Sequence, residues 1–267
     1  MPVDYHIHTK MCGHAYGEME EYIAEAQQRG LGEIGFSDHV PMYFFPSEQR
    51  DLSIAMKEAE LPLYVEQVLA MQQKFHPYPI KLGLEADYVP GMEQDLAAIL
   101  GAYEFDYVLG SIHYIDGWGF DNSQYINEYD RWDLYELYKY YFSMIGSAAA
   151  SGLFDTLAHP DLIKKFGFRP EGDISALYSE AVKKIADSGV CVEINTAGLR
   201  VPAAEIYPNI RLLELCCKSR VPVSLGSDAH HPEQVGANFR EALELLRTVG
   251  YREVVTFTGR KRNYLRI

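Results

Sequence analysis

The segment His6-Ile7-His8 places two imidazoles at i and i+2, and Asp228-Ala229-His230 repeats that spacing with a carboxylate. Side chains two apart on a strand point the same way, so each pair can grip one cation. His14, His39, Glu85, Asp87, His113, His159 and Asn195 add further polar groups, nearly all of them where a short apolar run ends. Imidazole and carboxylate donors without a thiolate majority suit Zn, Fe or Mn, and a set this rich exceeds the four ligands of a structural zinc. More than one divalent ion is implied. Such clusters generate hydroxide near neutral pH.

The remaining polar residues receive milder readings. His76 and His231 precede Pro77 and Pro232 and read as structural or exposed, with His231 a substitute for His230. Cys12 reads as a buried thiol near His14 rather than as a ligand. Asp38 and Asp161 read as carboxylates that orient His39 and His159.

The elements that must position these groups alternate along the chain. Val3 to His8 forms a first strand, and Met19, Tyr22, Ile23 and Ala26 mark an amphipathic helix stopped by Gly30. Further strands are expected at Glu33 to Ser37, Lys81 to Ala86, Tyr107 to Ile112, Thr156 to Ala158, Val190 to Ile194 and Val221 to Leu225. Helices fall between them: Pro62 to His76, Met92 to Leu100, Arg131 to Ser151, Ile174 to Ile185, Ile210 to Lys218 and, last, Arg240 to Thr248. Repeated strand-helix units imply a parallel sheet, and unbroken repetition without a linker favours one closed barrel over residues 1–267. Val254 to Phe257 reads either as a final strand or as a C-terminal flap, which leaves seven or eight barrel strands open. In a parallel barrel the C-terminal ends of all strands meet on one face, so the dispersed ligands converge there.

Composition narrows the partners. Lys and Arg number 24 against 38 Asp and Glu, a net charge of −14, with no basic block to neutralise a nucleic-acid backbone or an anionic membrane. There is neither a signal-like N-terminus nor a long apolar run, so a cytoplasmic protein is expected. Four cysteines, two of them adjacent, form no disulfide framework.

His6-Ile7-His8-Thr9, Cys12-Gly13-His14, Ser37-Asp38-His39, Gly83-Leu84-Glu85, Gly110-Ser111-Ile112-His113, Ala158-His159-Pro160 and Gly226-Ser227-Asp228-Ala229-His230 together resemble the polymerase and histidinol phosphatase (PHP) superfamily over nearly the whole chain. Within it, Cys12 to Ala15, Gly83 to Asp87 and Asn195 to Arg200 resemble the monofunctional histidinol-phosphate phosphatases of histidine biosynthesis. The resemblance implies a distorted (β/α)7 barrel of TIM type and a centre of three divalent ions at the C-terminal ends of the strands. Carried over by position, His6, His8, Glu85 and Asp228 hold the first ion, His14, His39 and His230 the second, and Glu85, His113 and His159 the third. Glu85 bridges two of them, and Glu85, Asp228 and His230 are the expected catalytic residues. The reaction implied is hydrolysis of L-histidinol phosphate by attack of a metal-bridging hydroxide on phosphorus. Arg200, Lys164 and Lys165 are expected to hold the phosphate. Loops bearing Phe44, Phe45, Tyr88, Tyr114, Trp118 and Asp161 are expected to wall the organic part of the substrate. Competing readings are a PHP phosphoesterase acting on nucleotides, oligonucleotide ends or phosphotyrosine, a metal-dependent amidohydrolase, and a non-catalytic metal-binding subunit.

Overall fold

The computed structural model describes residues 1–267. Strand β1 (Val3–Ile7) leads through α1 (Met19–Gln28) to β2 (Glu33–Phe36), and α2 (Leu61–Lys74) leads to β3 (Ile80–Asp87). Helix α3 (Glu93–Leu100) and β4 (Tyr107–Ser111) follow, then a small hairpin, β5 (Tyr114–Ile115) and β6 (Trp118–Gly119), that periodicity had not signalled. Next come α4 (Leu134–Ala150), β7 (Thr156–Leu157), α5 (Ser175–Ser188), β8 (Cys191–Asn195), α6 (Ile210–Lys218), β9 (Val223–Gly226) and α7 (Phe239–Val249). The chain ends in β10 (Glu253–Thr258) and β11 (Lys261–Arg266). No helix is long and apolar enough to cross a membrane.

Seven strands form one sheet in the order β1-β2-β3-β4-β7-β8-β9, and every neighbouring pair is parallel. The sheet nearly closes on itself. Between its two edges only Ile7 and Ala229 pair, through His8 N–H to Ala229 O (2.9 Å) and Ala229 N–H to His6 O (3.0 Å). That bridge lies at the end of the barrel where the ligand-bearing residues emerge. Asp4 reinforces it by accepting from the Ser227 hydroxyl (2.5 Å), Ser227 N–H (2.9 Å) and Gly236 N–H (2.8 Å).

Segment 254–257 is no eighth barrel strand. It lies in β10, antiparallel to β11, so it is the C-terminal flap of the two expected forms. Val255 and Phe257 cap a small apolar cluster with Val3, Tyr5, Tyr107 and Leu109 at the other end of the barrel. Tyr107 reaches inward to donate to Tyr5 O (2.8 Å), filling space that Gly35 and Gly83 leave free. The seven helices pack their apolar stripes against the outer face of the sheet, as in α4, where Leu137, Tyr138, Tyr141, Phe142 and Ile145 are buried. One end of the barrel is thus plugged and the other is left to the polar residues.

Candidate active site

All nine expected ligands meet at the open end. Glu85 stands at their centre, 1% exposed, at the C-terminal part of β3. Its Oε2 lies 3.2 Å from His6 Nε2, 3.4 Å from His8 Nε2 and 3.1 Å from His39 Nδ1, and its Oε1 lies 3.0 Å from His159 Nε2 and 3.6 Å from His113 Nε2. Asp228 Oδ1 closes a second corner, 3.3 Å from His8 Nε2, 3.7 Å from His6 Nε2 and 3.5 Å from His230 Nδ1. His14 completes the ring, its imidazole centroid 4.4 Å from that of His230 and 5.7 Å from that of His39.

These separations fit cations. A tetrahedral ion with bonds of about 2.1 Å needs donor atoms about 3.4 Å apart, and the four His6, His8, Glu85 and Asp228 spacings run from 3.2 to 3.7 Å. The atoms that would face such an ion, His6 Nε2, His8 Nε2 and Glu85 Oε2, are buried and have no hydrogen-bond partner in the protein, and neither has His230 Nε2, in the neighbouring group of histidines. Orphaned buried polar atoms are costly, so a cluster of them pointing at one spot requires an occupant.

The opposite ring nitrogens are held in place. Glu193 Oε1 lies 2.7 Å from His6 Nδ1, and Asp87 Oδ1 lies 2.9 Å from His113 Nδ1. His14 Nδ1 faces Cys12 O (3.1 Å) and His230 Nδ1 faces Asp228 O (3.2 Å). A carboxylate or a carbonyl can only accept, so each Nδ1 keeps its proton and Nε2 is the atom left to give a lone pair to an ion once its own proton has gone.

Burial alone would oppose charge here, and the charges support one another instead. Burial resists ionisation of Glu85 and Asp228, but the surrounding imidazoles, His6 foremost, hold both carboxyls well below their usual range. Burial likewise disfavours charged His8 and His113, yet Asp228 and Asp87, respectively, push them up to about 10. In the metal-free protein, protons occupy nitrogens that a metal needs. Metal uptake near pH 8 is therefore expected to release protons, and affinity should rise with pH until the site is deprotonated near pH 10. A titration with zinc in weakly buffered indicator solution measures this, and uptake without acidification would contradict it.

The cleft above the cluster has a volume of about 680 Å³ and is lined by Glu85, Asp228 and most of the histidines together with Lys165, Arg200, Asp121 and Tyr207. Arg200 Nη2 donates to Ser227 O (2.7 Å) and Asp228 O (3.0 Å), so its guanidinium lies against the ligand loop with other N–H groups to spare. Lys165 Nζ, which also lines the cleft, pairs with Asp121 at 3.0 Å.

Several expectations need correction. Lys164 does not reach the cleft: its ammonium is buried 2.6 Å from Asp161 and 3.3 Å from Glu205, in a separate cavity. Asp161 accordingly serves Lys164 and Asn209 N–H and does not touch His159. Asp38 accepts from the Thr9 N–H and hydroxyl, and the imidazole it approaches is His8 (3.8 Å), not His39. Of the aromatic wall, Tyr114 lines the cleft and packs on Phe44 and Phe45, whereas Tyr88 sits against Phe154 and Trp118 against Tyr129.

Glu193 is the functional residue that motif reading missed. It is fully buried in Cys191-Val192-Glu193-Ile194-Asn195, and its only signal was a carboxylate inside an apolar strand, which must have a partner. Its Oε2 accepts from His159 N–H and Asn195 Nδ2, both at 2.9 Å, and so pins a histidine whose φ is 25°. Gly226 makes room for it, since a Cβ there would fall 2.0 Å from Glu193 Oε1 and 2.6 Å from His6 Cβ. Gly226→Ala is expected to lower stability by about 1–3 kcal/mol through overpacking and to displace His6. Thermal denaturation and metal content check this, and an unchanged variant would show that the strand gives way freely.

The comparisons with known proteins agree in kind. Residues 4–197 match the PHP domain. The chain is 42% identical to the probable histidinol-phosphatase of Deinococcus radiodurans, over 97% of each chain. It is 29% identical to the histidinol-phosphatase of Bacillus subtilis, over 90% of this chain and 98% of that one. The crystal structure of histidinol phosphate phosphatase from Lactococcus lactis subsp. lactis, complexed with zinc, L-histidinol and phosphate, has the same fold, with a TM-score of 0.83 at 22% identity over 98% of both chains.

Proposed function

Since the chain belongs to the PHP domain family, we propose that it is a metal-dependent phosphomonoesterase that hydrolyses L-histidinol phosphate to L-histidinol and phosphate. The observation that carries this reading is the set of orphaned donors spaced 3.2 to 3.7 Å apart around Glu85 and Asp228. Relatives named for that activity, matched over almost their full length, supply the substrate.

In this reading His6, His8, Glu85 and Asp228 hold a first divalent ion, His14, His39 and His230 a second, and Glu85, His113 and His159 a third, with Zn, Fe or Mn suited to the donors. When bound, such ions supply a hydroxide nucleophile near neutral pH and screen the phosphoryl oxygens. The protein's own residues do the rest. Glu193 and Asp87 fix the rings of His6 and His113, so these ligands are in place before substrate arrives. Arg200 and Lys165, both lining the cleft, receive the phosphate, and the spare N–H groups of Arg200 give it directional contacts. Local positive charge at the cluster overrides the net charge of −14 for an anionic substrate.

Phosphate release from L-histidinol phosphate, before and after chelation and with Zn, Fe or Mn restored, tests the proposal, alongside a nucleotide and phosphotyrosine. Fast, metal-dependent turnover of histidinol phosphate alone is expected. Activity confined to another ester would overturn the substrate, and inactivity of metal-loaded protein would overturn the enzyme. Arg200→Ala should keep its metals and lose about 10- to 100-fold in kcat/KM, the size of one charge-assisted hydrogen bond. Full efficiency in that variant would remove Arg200 from substrate binding.

A further inference from the structure

We propose that the Cys12 thiolate is itself a metal ligand, completing with His14 and His230 the coordination of the second ion. The inference rests on the metal-centre reading above and alters one of its sites, which on resemblance alone holds imidazoles only.

Three features place the sulfur there. Thr9, tied down by Asp38, caps the single turn Lys10–Cys12 by accepting from Met11 N–H. Gly13 then reverses the chain with φ 86°, where a Cβ would strike Leu52 O at 2.7 Å, so Cys12 is directed into the protein and His14 returns over it. Cys12 is completely buried. Its Sγ and one nitrogen each of His14 and His230 lie within 4.8 Å of one another, a spacing that small side-chain rotations convert into a ligand set around one ion.

A second observation comes from His8. That ring is fully buried, and while its Nε2 faces Glu85 and Asp228, its Nδ1 has no hydrogen-bond partner, and Cys12 Sγ lies within 4.8 Å of a ring nitrogen of His8 and an oxygen of Asp38. His230 Nε2 is also buried and unpartnered. Donors of both kinds therefore converge on the space that Cys12 enters. Binding would break the S–H bond and form a sulfur–metal bond, with the proton released to solvent.

A thiolate changes what the site prefers. Soft, anionic sulfur favours zinc or ferrous iron over manganese and magnesium, and the added negative charge tightens the site. The other cysteines do not compete: Cys191 lies at the plugged end of the barrel, Cys216 faces the core from α6, and Cys217 follows it.

X-ray absorption on the zinc-loaded wild-type protein is the primary test, because it needs no variant. A sulfur scatterer at about 2.3 Å from zinc is expected. Cobalt-loaded protein should in addition show a sulfur-to-cobalt charge-transfer band, which Cys12→Ser and Cys12→Ala both lose along with at least tenfold in affinity for one ion. A shell of nitrogen and oxygen alone at full loading would overturn the proposal and leave Cys12 as a neighbour of the ligands. The outcomes separate from those of the proposed function. Sulfur ligation without turnover of histidinol phosphate overturns only the function, turnover with no sulfur overturns only this inference, and a protein that takes up no zinc overturns both.

Discussion

Glu85→Ala is expected to remove essentially all activity, with kcat/KM falling by more than about 10³-fold, and to lower the metal content of purified protein. Residues that act as one unit lose the function of the unit when one is removed, and Glu85 is where this unit joins. Five imidazoles reach its two oxygens within 3.0 to 3.6 Å, and the Ser111 hydroxyl donates to Oε1. Its charge is what lets the neighbouring histidines sit together, since burial and mutual repulsion work against them and the carboxylate against both. Alanine would leave Asp228 as the remaining carboxylate among the expected ligands, and no bridge between the first and third ions. Glu85→Gln keeps the volume and one acceptor but not the charge, so it separates the two contributions. If charge dominates, Gln will be nearly as poor as Ala in metal content by elemental analysis and in phosphate release. Normal metal content and turnover in Glu85→Ala would sink the bridging role and the mechanism built on it.

The convergence of the proposed ligands was legible because their constraints are local. His6-Ile7-His8 shares one face at the end of a strand by the period of two, whereas Asp228-Ala229-His230 lies past the end of β9 with Asp228 at φ 53°, so there the spacing marked the residues without strand geometry behind it. Barrel topology does the rest, turning seven strand ends distant in sequence into one ring. What escaped reading depends on contacts that spacing does not encode. Lys164 follows its strand as closely as Lys165 does, but the turn Leu162–Lys164 points it inward to Asp161 and Glu205, while Lys165 faces the cleft. Asp38 adjoins His39 in sequence, yet successive strand residues face opposite ways, and the carboxylate therefore serves Thr9 on the neighbouring strand end. The β10 segment has the composition of an inner barrel strand, and only its antiparallel partner β11 makes it a plug. Short element β5–β6 carried too few residues for any period to register.

Glu193 is the sharpest instance, and its replacement carries the second large expected effect. Glu193→Gln should lower affinity for the first ion by about 10- to 100-fold, the usual loss when the group that orients a ligand is changed. The geometry says why a single atom suffices. Glu193 uses one oxygen for His6 Nδ1 and the other for the His159 N–H and the Asn195 amide. A glutamine can offer an oxygen to only one side. Turned toward His6 it sets its NH₂ against two donors, and turned the other way it loses the bond that fixes the His6 tautomer, so either choice leaves buried groups unsatisfied at about 1–3 kcal/mol. In the first orientation His159 would also lose the acceptor that holds its strained backbone at φ 25°. Because the effect acts through ligand placement, saturating zinc should restore much of kcat in Glu193→Gln, which a variant with a damaged substrate contact would not show. Glu193→Ala, lacking both acceptors and leaving a void beside Gly226, should add a loss of thermal stability that metal cannot fully repair. Zinc affinity by competition with a chromophoric chelator, measured beside kcat at rising zinc, decides the matter: unchanged affinity in Glu193→Gln would mean that His6 is oriented by the barrel backbone alone.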